Sequence, residues 1–132
     1  MYYLDTNTCI YFLKGTYESV RSKLISTNPC EIAIPSLVKA ELLLGAFKSK
    51  QRESNIEKIE RFLEPFAVIP FEDKMTYVYV EIRSDIEKKG VLIGPNDLII
   101  ASIVKYYNGI LVTNNTGEFK RIKGLLIENW VK

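Results

Sequence analysis

Histidine is absent from this chain. That excludes a Ser-His-Asp triad, a two-histidine nuclease mechanism and an HExxH zinc site. Cysteine occurs only twice, at Cys9 and Cys30, with no CxxC pair. A disulfide framework or a thiolate metal site is therefore not expected, and each cysteine reads as a small, half-buried hydrophobe. Long apolar runs are missing too. Leu98–Val104 is among the longest, far short of the roughly 20 residues that span a bilayer. The opening Met-Tyr-Tyr-Leu-Asp has no basic segment followed by an apolar one, so we expect no secretory signal and a cytoplasmic location. Charge of one sign is scarce as well: 18 Lys+Arg stand against 16 Asp+Glu, a net charge of +2. Any nucleic-acid contact must come from a local cluster rather than bulk charge.

What is present suits one globular domain over residues 1–132, with 47% hydrophobic and 26% charged residues. Short apolar segments alternate with longer helical patterns. Strands are expected at Tyr2–Leu4, Glu31–Ile34, Phe66–Ile69, Gly109–Thr113 and Leu125–Glu128. Helices are expected over Thr6–Leu13, Ser19–Ser26, Leu37–Lys48, Glu53–Leu63, Met75–Lys89 and Asp97–Tyr107, with a turn at Glu118–Arg121. Ser36 reads as a helix cap, and Leu37, Ala40, Leu44 and Phe47 as the apolar face of the helix that follows. Such alternation predicts an α/β fold, a parallel five-stranded sheet with helices on both faces. Ligands of such sheets bind beyond the carboxyl ends of the strands, where the topology switches direction.

Aspartate occurs at only four positions: 5, 73, 85 and 97. Asp73 and Asp85 lie among polar neighbours, as solvated acids do. Asp5 instead ends the first strand, and Asp97 opens a nearly all-apolar helix. Glu41 is a lone acid in Val38–Leu44. A buried, unpaired carboxylate costs several kcal/mol, so each needs a partner. Asp5 and Asp97 could cap helices, and Glu41 could pair with Lys39. For three acids gathered at one edge, a divalent cation with hard oxygen ligands is the simplest partner. Thr113-Asn114-Asn115-Thr116-Gly117-Glu118 leaves the fourth strand on the same edge. It is turn chemistry, and it also offers hydroxyl, amide and carboxylate groups.

Four blocks, Leu4-Asp5-Thr6-Asn7, Ala40-Glu41-Leu42, Ile93–Ala101 and Leu111–Phe119, resemble PIN-domain ribonucleases in their order and spacing, above all the VapC toxins of toxin–antitoxin pairs. The resemblance spans the chain. It implies that Asp5, Glu41 and Asp97 gather around one or two Mg2+ ions, with Mn2+ able to substitute, and that the chain is an endoribonuclease acting on structured RNA such as tRNA or rRNA. It further implies a VapB-like antitoxin, a homodimer and a toxin–antitoxin hetero-oligomer, with no membrane partner. Where some relatives carry an acid, this chain has Asn115, so Glu118 is the candidate fourth acid and Asn115 a group that orients a ligand.

Metal-activated water needs no histidine and should leave a 5′-phosphate and a 3′-hydroxyl. Thr6, Asn7 and Thr113 could position waters or the scissile phosphate, each also having an adequate role as cap or turn. Lys120, Arg121 and Lys123, or Lys48, Lys50 and Arg52, could track the RNA backbone. Tyr11 and Phe12 fit core packing better than base stacking, and with Leu43-Leu44 they suggest a groove for the antitoxin. Two rivals remain on the sequence. A phospho-receiver domain needs adjacent acids after the first strand, which Asp5-Thr6-Asn7 does not supply. A catalytically idle PIN-like domain that binds RNA or a partner is left some room by Asn115.

Overall fold

The computed structural model describes all residues from Met1 to Lys132. Five short strands, β1 (Tyr2–Leu4), β2 (Ile32–Pro35), β3 (Ala67–Ile69), β4 (Ile110–Val112) and β5 (Leu126–Glu128), form one sheet in the order β3-β2-β1-β4-β5. Every neighbouring pair is parallel. The central strands are apolar on both sides. Leu4, Ile32, Ala33, Ile34, Leu111 and Val112 are all buried, which a parallel sheet covered on both faces demands. Burying each large aliphatic among them contributes about 1.5–3 kcal/mol.

Between β1 and β2 run α1 (Thr6–Lys14) and α2 (Glu18–Ser26), and between β2 and β3 run α3 (Ser36–Lys48) and α4 (Arg52–Leu63). The long return from β3 to β4 carries α5 (Thr76–Lys88) and α6 (Pro95–Tyr106), and a single turn, α7 (Thr116–Phe119), follows β4. The chain steps outward from β1 through β2 to β3, then crosses back to β4 and on to β5, and right-handed crossovers in these two directions cover both faces of the sheet. The direction of travel reverses between β1 and β4, so the carboxyl ends of those strands flank the switch point.

Local chemistry explains most boundaries. Gly15, at φ 66°, ends α1, and Gly90, at φ 68°, ends α5. Pro95 opens α6 as its first residue. Three expectations are corrected. Ser36 is the first residue of α3 rather than its cap, because Pro35 holds the capping position and no side chain bonds there. The buried side of α3 is Val38, Leu42 and Ala46, while Ala40, Leu44 and Phe47 are exposed. That helix is apolar nearly all round, so its sequence offers two competing stripes and packing against α4 and α1 selects one. Neither cysteine is half-buried: Cys9 is fully buried in the core, and Cys30 stands exposed in a 3-10 turn over Pro29–Glu31.

Candidate active site

Asp5 leaves β1 at the switch point. Its backbone N–H continues the sheet to the Val112 carbonyl at 3.1 Å. Its carboxylate turns back over α1 and accepts the Thr8 N–H at 2.9 Å. It therefore does cap the helix, as one reading of the sequence held, and the cap fixes it at only 7% exposure. Burial raises its pKa; hydrogen bonds from Thr113 and Thr8 oppose the rise, and the Glu41 charge adds to it.

Glu41 projects from the first half of α3, and its Oε1 accepts the Thr6 hydroxyl at 2.6 Å. No lysine pairs with it. Asp97 is the third residue of α6, inside the helix rather than capping it. Its pKa is pushed up to about 6 by burial first, then by the charges of Glu118, Glu41 and Asp5, and by a hydrogen bond with Glu118. Glu118 sits on α7, where Oε1 accepts the Gly94 N–H at 3.3 Å and Oε2 accepts the Asn115 amide at 2.6 Å. Four acids from four separate segments thus act on one another at one edge of the sheet.

None of the four takes part in an ion pair; every salt bridge of the chain lies elsewhere. The cluster is uncompensated by the protein's own cations. No three of the side chains close into a tight ligand cage. The reason is visible in their bonds: Asp5 is held by its cap, Glu41 by Thr6, and Glu118 by Asn115 and Gly94. The donor set is nevertheless all hard oxygen, the kind Mg2+ and Mn2+ prefer.

The remaining candidates divide. Thr6 and Thr113 belong to the site through Glu41 and Asp5, and the Thr113 hydroxyl also accepts the Asn115 N–H at 2.9 Å. Asn7 is exposed and makes no side-chain hydrogen bond within the chain. Asn115 is exposed and orients Glu118. Lys120, Arg121 and Lys123 are exposed beyond α7. In the alternative basic run, Arg52 lies over the Phe47 ring at 3.7 Å and donates to the Phe47 carbonyl at 2.8 Å, closing the α3–α4 turn. Tyr11 packs edge-on against Tyr17, and Phe12 against Phe62, as core residues. The groove anticipated beside them lies one face over. A cleft of about 480 Å3 between α1, α3 and α4 is lined by Ile10, Leu13, Leu42 and Ile59, with Glu41 among its walls.

Sequence reasoning missed Thr8 and the Gly94 N–H. Thr8 is buried, and its hydroxyl donates to the Val112 carbonyl at 3.2 Å, locking α1 to β4 beneath Asp5. The Asp5-x-x-Thr8 spacing of a cap was the available signal. The Gly94 contact bridges 24 residues and left none.

The PIN domain model matches residues 2–125. The chain belongs to the PIN domain family. Among its relatives is the ribonuclease VapC2 of Rickettsia felis, 45% identical and covering 100% of this chain and 99% of that protein. The tRNA(fMet)-specific endonuclease VapC of Salmonella typhimurium is 35% identical over 96% of each chain. A crystal structure of VapBC2 from Rickettsia felis, bound to a DNA fragment from their promoter, superimposes with a TM-score of 0.90 over 98% of each chain.

Proposed function

We propose that this chain is a divalent-metal-dependent endoribonuclease and the toxin of a toxin–antitoxin pair. One observation carries the reading: four carboxylates without cationic partners gather at the switch point of a PIN fold, where burial first and the neighbouring acids next push Asp97 up to about 6. Proteins avoid such repulsion unless a cation or a reaction uses it. The family relatives named ribonuclease and endonuclease support the same chemistry.

Asp5, Glu41, Asp97 and Glu118 are the residues that would hold Mg2+ or Mn2+. Such an ion supplies a water of lowered pKa and neutralises charge building on the phosphate. The chain's part is to position the groups. Thr8 and Thr113 keep Asp5 fixed, Thr6 holds Glu41 toward α1, and Asn115 aims Glu118. Glu41 and Glu118 are only half-buried, which leaves their side chains freer to turn than that of Asp5. With no histidine in the chain, proton movement falls to these carboxyls and to water.

The partner reading rests on the cleft and on the relatives. Structures of related VapBC complexes pair a VapC with its VapB. Here the apolar floor of the cleft, Ile10, Leu13, Leu42 and Ile59, would seat one face of an antitoxin helix, with Lys14 and Lys58 at its rim and Glu41 at the wall that leads to the acids. A homodimer and a hetero-oligomer with the antitoxin belong to the same proposal.

The test uses purified protein and a tRNA pool. Cleavage leaving 5′-phosphates should require Mg2+ or Mn2+, stop in EDTA, and fail in Asp5→Asn. Calcium, with its looser coordination, should not support it. Full activity in excess EDTA would overturn the metal reading. In cells, expression should arrest growth, and co-expression of the antitoxin should restore it.

A further inference from the structure

Leu92 is 93% exposed, more than any other large apolar side chain of the protein. It lies in residues 91–94, the last part of the link between α5 and α6. The link is pinned at both ends. Beyond Gly90, the Val91 N–H returns to the Ile86 carbonyl, and at the far end the Gly94 N–H donates to Glu118. Two residues of extended chain reach at most about 7 Å, so Leu92 lies within that span of Gly94, whose N–H contacts Glu118 of the acid cluster at 3.3 Å. It packs against nothing, and a leucine confers no benefit on a solvated link.

Its surroundings are basic. Leu92, Lys89 and Arg121 line one open concavity of about 630 Å3. Lys89, Lys123 and Lys88 stand close enough to Asp85 to hold its carboxyl below the usual range, chiefly through the Lys89 hydrogen bond. Only Lys89 among these cations is ion-paired, to Asp85 at 2.9 Å, and that pair is solvent-exposed and weak. A cationic strip with an apolar tip therefore adjoins an anionic site that would repel RNA by itself.

We propose that the 91–94 link engages the RNA substrate, with Lys89 and Arg121 taking backbone phosphates while Leu92 wedges against a base and turns it out of its stack. The inference rests on the ribonuclease reading. Aliphatic wedges unstack bases in this way, and loop nucleotides of structured RNA yield most readily. Because Gly94 touches Glu118 and Asp97 follows three residues later, the link fixes the strand in register with the acids.

The test compares Leu92→Ser and Arg121→Ala with wild type on tRNA, and uses Ile25→Ser, an exposed apolar residue on α2, as the control. Leu92→Ser should lower kcat/KM by about tenfold with an unchanged melting temperature. Arg121→Ala should reduce the slope of log affinity against log salt by about one. A 2-aminopurine at the mapped cleavage position should brighten on binding wild type and not Leu92→Ser. If wild type cleaves no RNA with any divalent ion, the ribonuclease reading itself fails. If wild type cleaves and Leu92→Ser cleaves equally well, that reading stands and the role of the link is wrong. A change in subunit assembly by Leu92→Ser, with cleavage per site unchanged, would assign the link to protein contact and likewise overturn the inference.

Discussion

Asp97 stands in the first turn of α6, where the helix dipole favours a negative charge, yet its pKa is pushed up to about 6. Burial and three neighbouring acids outweigh the dipole. The folded state thus holds this proton more tightly than the unfolded chain, whose carboxyl titrates near 3.8. The contribution to stability is favourable at low pH and is lost as pH climbs from about 4 through 6. Without metal, Asp97→Asn should melt higher than wild type at pH 7.5, by roughly 2–5 °C, and should match it at pH 4. Its cleavage rate should meanwhile fall by about 100-fold or more. Scanning calorimetry and a tRNA cleavage assay check the two halves. A lower melting point at pH 7.5 would mean that packing, not charge, explains the residue. Asn115 gives a second residue-scale prediction. Its amide lies 2.6 Å from Glu118, so Asn115→Asp should destabilise the metal-free protein and tighten Mn2+ binding, read by titration calorimetry. Glu118→Gln should cost less activity than Asp5→Asn, because Glu118 is half-exposed at the rim of the cluster while Asp5 is buried at its centre.

At the scale of elements, the paired strands β1 and β4 set the spacing of the site, and Gly109, just before β4, makes room for the Tyr3 ring of β1. A Cβ at Gly109 would lie 2.3 Å from the Tyr3 ring. That ring is buried at 4% exposure, so it has little room to retreat. Gly109→Ala should therefore cost about 1–3 kcal/mol, measured by urea unfolding, and Tyr3→Leu in the same chain should recover part of it. The strand pattern and helix count were legible from alternating apolar runs and from Gly15, Gly90 and Pro95, because those signals are local. The face of α3 was not, since Leu37, Leu43 and Leu44 are as apolar as Val38 and Leu42, and only neighbouring helices choose between them. The acids were legible by type and position: strand end, apolar helix and helix start. Their tethers were not. Thr6 reaches Glu41 across 35 residues, and Gly94 reaches Glu118 across 24. Tertiary contacts of this kind leave no periodic trace.

Across the whole molecule, the clustered acids link folding to ion binding. The carboxylate repulsion exists only in the folded state, because the unfolded chain separates Asp5, Glu41, Asp97 and Glu118. An ion that binds the cluster therefore stabilises the fold by mass action, by about 2.7 kcal/mol at a hundredfold excess over its dissociation constant. For a chain of 132 residues that corresponds to a rise in Tm on the order of 10 °C. Asp5→Asn separates this effect from loss of structure. Asparagine caps helices as well as aspartate does, so the bond to the Thr8 N–H and the start of α1 should survive while one charge is removed. Mg2+ or Mn2+ should thus raise the Tm of wild type markedly and that of Asp5→Asn much less. The wild-type rise should be greater at pH 7.5 than at pH 5, where protons occupy Asp97 and compete with the ion. Thermal scans with and without each ion at both pH values decide it. Equal shifts in the two proteins would move the ion-binding site away from the β1–β4 edge.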